Sequence, residues 1–133
     1  MKPWTIEYVE SDKCLLLTLS NHVTGEDILD AQQGVKIYVN QGKQISSILS
    51  DWSGVTKFDV YKNDVEALAK IDFELAELLP NICFATVAPD PTIFGTARSW
   101  QVYTQATNWT TEVLKTIDQA KSWLKNTCPR KAS

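Results

Sequence analysis

Four side chains able to do chemistry fall where a strand gives way to a loop or helix: Asp51, Ser53, Asp90 and Arg98. Two carboxylates ending neighbouring strands could share acid and base roles, provided burial or mutual repulsion raises one pKa. Nothing in the residue pattern supplies that burial. Ser53 has no partnering histidine, because His22 is the chain's one histidine, and Asp51-Trp52-Ser53 lacks the nucleophile-elbow pattern. Gly54 and Gly95 stand singly, so no glycine-rich phosphate loop is present. A small hydrolase therefore ranks last among the functional readings, and no catalytic residue is assigned.

The same edge suits binding better. Trp52 follows an apolar run, and Phe94 opens a helix whose amino end presents free N–H groups and partial positive charge. Arg98, one turn further, adds a cation and a bidentate donor. Asp51, Trp52, Ser53, Asp90, Phe94 and Arg98 are thus the candidate site, a rim suited to a small amphipathic or acidic ligand. The alternative is a protein-interaction module, including homodimerisation. Five tryptophans in 133 residues favour interfaces, where tryptophan is enriched in hot spots.

The elements that position these residues read in order as ββαβαβαβα. Trp4 to Val9 alternates and Cys14 to Leu19 is β-prone, giving an amino-terminal hairpin at a sheet edge. Thr24 and Asp27 form a variant capping box for a helix ending near Gly42. Ile45 to Asp51 reads as a buried strand followed by a loop. A second helix is capped at Asn63 and stopped at Pro80, with Val65, Leu68, Ile71, Leu75, Leu78 and Leu79 as its apolar stripe and Asp72, Glu74 and Glu77 on its solvated face. Ile82 to Ala88 is apolar on both faces and reads as a central strand. A helix over about 93–107, a short strand over 109–115 and a helix opened by Thr116 and Gln119 complete the chain. The expectation is an α/β fold (leaning to α+β) with a mixed sheet of four or five strands. Residues 1–125 form one domain and 126–133 a flexible tail.

Composition bounds the rest. Net charge of −3 argues against a nucleic-acid surface. The longest apolar run is far short of the roughly 20 residues that span a bilayer, so no membrane insertion is expected. Three cysteines lack ligand spacing and read as two buried strand residues and one tail thiol. No metal or cofactor is expected, and with no secretory signal the setting is cytoplasmic.

Three passages resemble the SpoIIAA-like branch of the STAS superfamily. Asp51-Trp52-Ser53-Gly54-Val55, continuing to Asp59, looks like that family's strand-and-loop passage. Phe94-Gly95-Thr96-Ala97-Arg98 and Ala120-Lys121-Ser122-Trp123-Leu124 resemble the helix start and terminal helix of its uncharacterised members. The resemblance implies the SpoIIAA-like fold and a regulatory, non-catalytic role. Antagonists of this family carry a phosphorylated serine after the second aspartate. Here Asp59 is followed by Val60 and Tyr61, and valine has no hydroxyl to modify.

Overall fold

Alternating side chains along Leu15, Leu17, Leu19 and Cys14, Leu16 send two apolar rows to opposite faces of one strand, so both faces of the sheet must be covered. The computed structural model describes residues 2–128 and meets that demand with five strands and four helices. They follow in the order β1 (Trp4–Val9), β2 (Cys14–Thr24), α1 (Gly25–Asn40), β3 (Ser47–Asp59), α2 (Lys62–Leu78), β4 (Cys83–Val87), α3 (Pro91–Thr104), β5 (Thr110–Leu114) and α4 (Ile117–Thr127). The sheet order is β1-β2-β3-β4-β5, with β1 antiparallel to β2 and the other neighbours parallel. This is the expected mixed α/β sheet, with β3 and β4 side by side. Of the expected tail, Asn126 and Thr127 belong to α4, and residues 129–133 lie outside the described residues.

Helices α1, α2 and α3 pack side by side over one face, and α4 covers β3, β4 and β5 from the other. The larger core lies under the three helices. There Phe84 meets Trp100 and Trp109 with ring centroids 4.9 and 5.5 Å away. The indole N–H of Trp109 donates to the carbonyl of Leu79 at 2.9 Å, which satisfies the polar end of an otherwise buried ring.

Local signals set most boundaries. Thr24 and Asp27 form the expected reciprocal cap: the Asp27 N–H donates to Thr24 Oγ1 at 3.3 Å and the Thr24 N–H to Asp27 Oδ2 at 2.9 Å. Gly42 takes a φ of 80° just beyond α1, the left-handed geometry expected of a residue ending a helix. Helix α3 starts two residues earlier than its apolar spacing predicts, because Asp90 accepts from the N–H groups of Thr92 and Ile93 with Pro91 at the first helical position. Helix α2 likewise starts at Lys62 rather than after Asn63, since the Asp64 carboxylate accepts the Tyr61 N–H at 2.9 Å.

The expected end of β3 at Asp51 is corrected. The strand runs on to Asp59, and its second half pairs with Ser20–Thr24 of β2, past the point where β4 stops. Asp-Trp-Ser-Gly looks like a turn in isolation, but pairing with β2 satisfies its backbone and overrides that preference. The register shifts near Ser20 and Asn21, and Asn21 takes a φ of 62° there. Gly54 fits this close approach, since a Cβ at that position would lie 3.3 Å from the Ser20 Cβ.

Candidate functional site

The longer β3 redistributes the six expected site residues. Ser50 and Trp52 point to the three-helix face, while Asp51 and Ser53 point to the α4 face, by the alternation that also separates Ile48 from Leu49. Trp52 is a core residue, 8% exposed, with its ring 5.5 Å from Phe58 and its indole N–H donating to Ser50 Oγ. Asp51 accepts from Ser53 through both the hydroxyl, at 2.6 Å, and the N–H, at 3.0 Å, so this pair closes on itself. Asp90 is committed to capping α3.

Phe94 and Arg98 remain on the outer part of α3, on the side toward β5. The Lys115 ammonium sits 5.7 Å from the Phe94 ring centroid, and Arg98, 57% exposed, lies 3.8 Å from Glu112 Oε1. Two cations and an aromatic ring therefore share this corner, whereas Asp51 and Ser53 lie on the opposite face of the sheet from Phe94.

A second polar corner forms where the β2–β3 overhang meets α2. His22 Nε2 lies 2.6 Å from Asp59 Oδ2 across paired strands, and the Tyr61 hydroxyl donates to Asp59 Oδ1 at 3.4 Å. The bond from His22 holds the Asp59 carboxyl below its ordinary range, with Lys57 adding to the effect. Asp64 lies just behind: a Cβ on Gly25 would fall 2.1 Å from its carboxyl carbon, so the starts of α1 and α2 touch only because residue 25 has no side chain. Beside this corner a groove of about 390 Å³ opens between α2 and α3, lined by Val60, Tyr61, Lys62, Val65, Thr96, Ser99 and Tyr103. Tyr61 is 65% exposed and Tyr103 37%. The sequence marks His22 only as the single histidine and gives no sign of this site, because 37 residues separate it from Asp59.

The third polar cluster is internal and corrects the placement of Asp72 on a solvated face. Asp72 is 1% exposed, its carboxylate accepting from Trp100 Nε1 at 2.6 Å and from the Gln32 side-chain amide. With Ser50, Trp52, Thr86 and Phe84 these groups border a cavity of about 30 Å³, room for a water molecule or two. Burial pushes the Asp72 carboxyl up to about 7, against the opposing pull of its two donors. A carboxyl group so enclosed binds α1, α2 and α3 together through one hydrogen-bonded cluster. Among the described residues, no group of three or more His, Cys, Asp or Glu side chains has the arrangement of a metal site. No helix among them is long and apolar enough to cross a membrane.

No protein-family model matches the chain, and no curated protein does. Solved structures do. The anti-sigma factor antagonist SpoIIAA in its unphosphorylated form superposes with a TM-score of 0.54 at 12% identity, over 92% of this chain and 97% of that one. An uncharacterised protein of the DUF3478 family from Shewanella loihica PV-4, described as having a SpoIIAA-like fold, gives 0.55 at 18% identity over 91% of both chains. With five strands, four helices and these superpositions, the chain has the SpoIIAA-like fold.

Proposed function

We propose that this chain is a non-catalytic regulatory domain that docks a protein partner at the start of α2. The observation that carries the reading is the groove flanked by Tyr61 and Tyr103, two exposed aromatics on either side of an opening floored by Val60 and Val65. Tyrosine gives large contact area with few rotatable bonds and a hydroxyl for hydrogen bonding, the profile of interface anchors. SpoIIAA, which shares this fold, is an anti-sigma factor antagonist, and that role leans the same way. Val60 carries no hydroxyl, so a phosphate switch at the residue after Asp59 is not part of the proposal.

The test selects peptides on the folded chain by phage display and measures their affinity for groove variants. Tyr61→Ala and Tyr103→Ala should each weaken binding by about 10- to 30-fold, or roughly 1.4–2 kcal/mol, with thermal melts unchanged. Peptides that bind both variants as tightly as the parent would sink the groove reading. Sedimentation of the chain alone identifies a second copy as the occupant.

The cation–aromatic corner favours a second reading. Phe94, Arg98 and Lys115, on and beside the helix that Asp90 caps, would hold a small amphiphile with an acidic head. Arg98→Ala should then weaken a fluorescent fatty acid by about 10- to 150-fold, the loss of a charge-assisted contact. Unaltered affinity in the variant removes this reading and leaves the groove proposal standing.

A further inference from the structure

The chain's three cysteines are spread over positions 14, 83 and 128, and the fold gathers them at the amino ends of the parallel strands. Cys14 opens β2 and Cys83 opens β4, and both are in register with Ser47 of β3. Residues in one register row point to the same face, here the face that α4 covers, with Cys14, Ala85 and Val87 in its core. The last residue of the α4 cap brings Cys128 onto that row. Its thiol donates to the Ser46 carbonyl at 3.4 Å, and the same carbonyl accepts the Cys83 N–H at 3.3 Å. Both cysteines thus converge on one carbonyl oxygen, close enough for the Cys128 thiol to act on the Cys83 thiol.

We propose that Cys83 and Cys128 are an oxidisable thiol pair, and that a hydroperoxide converts them to a disulfide that ties the end of α4 to the start of β4. Cys128 is half-exposed and Cys83 buried, so the oxidant meets Cys128 first. The Cys128 thiolate attacks the peroxide O–O bond, leaving a sulfenic acid and releasing alcohol or water. The Cys83 sulfur then attacks the sulfenic sulfur. The S–S bond forms, the S–O bond breaks, and water departs carrying the Cys83 proton. Two thiols are oxidised and one peroxide is reduced.

Burial, joined by the Cys128 thiol beside it, pushes the Cys83 thiol up to about 12. Cys83 is thus held as a thiol, and the first attack on the oxidant falls to the half-exposed Cys128. The latch lies at the end of the sheet away from Tyr61, and does not depend on the partner reading.

The experiment treats the reduced full chain with hydrogen peroxide, then counts free thiols, maps peptides without reductant and records a melt. The expected result is loss of two of the three thiols, a Cys83–Cys128 linked peptide in monomeric protein, and a melting temperature raised by on the order of 10 °C, reversed by dithiothreitol. Cys14→Ser should behave like the parent. Cys128→Ser, at the half-exposed position, should fold, lose the linkage and show no thermal shift with peroxide. A Cys14–Cys128 link, a disulfide only between chains, or sulfinic acid on Cys128 with Cys83 still free would each overturn the proposal.

Discussion

The face under α1, α2 and α3 and the face under α4 share the same strands, yet they bury different kinds of residue. Under the three helices lie Leu15, Leu19, Ile48, Phe84, Trp100 and Trp109. Under α4 the buried set is Cys14, Leu49, Ala85, Val87 and Ala120, with Trp123 and Leu124 only partly covered. At roughly 25 cal/mol per Å² of apolar surface, alanines and a valine hold a helix far less firmly than aromatics and leucines. The difference teaches where a polar group can be tolerated. The thicker face has enough apolar burial to enclose a carboxyl group, while the thinner one holds its helix with smaller side chains.

The largest expected effect that tests this contrast is at Trp100. Trp100→Ala removes a ring packed on Phe84 and the N–H that serves Asp72, and should cost about 3–5 kcal/mol in urea unfolding. A loss under about 1 kcal/mol would mean the thick face is not where stability resides.

Next comes the pH dependence of Asp72. Its folded-state pKa is raised from 3.8 to about 7, so between those values the folded chain holds a proton that the unfolded chain releases. Stability from this group is complete below about pH 4, falls as pH rises towards 7, and is flat above. The span is on the order of 4 kcal/mol. Asp72→Asn keeps a group that can accept from Trp100 and bond Gln32 with its amide turned. The difference between variant and parent should therefore grow from pH 4 to 7 in the variant's favour. A difference that does not change with pH would show that Asp72 is solvated in the folded state.

Smaller still, Leu124→Ala should cost about 1 kcal/mol and raise the hydrogen-exchange rates of the α4 amides before those of α2. Equal protection of α4 and α2 would erase the contrast between the faces. Smallest is the exterior of the thick face. Arg98→Ala breaks only the exposed contact with Glu112 and should change stability by less than about 0.5 kcal/mol, as a thermal melt can check.

Element order, the Thr24 and Thr116 caps and the adjacency of β3 and β4 were legible because each rests on local spacing. Asp72 was not, although its signal was present. Two stripes can be drawn on α2, one through Ile71 and Leu78, the other through Ala69, Asp72 and Ala76. The buried face follows the second, leaving Leu78 51% exposed. Alanine is a weak marker of burial, and an aspartate among alanines reads as solvent-facing. Trp52 was misplaced because the Gly54 approach to Ser20 depends on a strand more than thirty residues earlier. The His22–Asp59 contact and the row of Cys14, Ser47 and Cys83 follow from register alone, which no local pattern encodes.

The strand order has a consequence for synthesis on the ribosome. Spatial order equals chain order from β1 to β5, so each emerging strand joins the edge left by the one before it and none must be threaded between strands already placed. A nascent chain can therefore grow its sheet in one direction as it is made. Its exposed edge moves from β2 to β3 to β4, and α4, arriving last, covers β3, β4 and β5 after they have assembled.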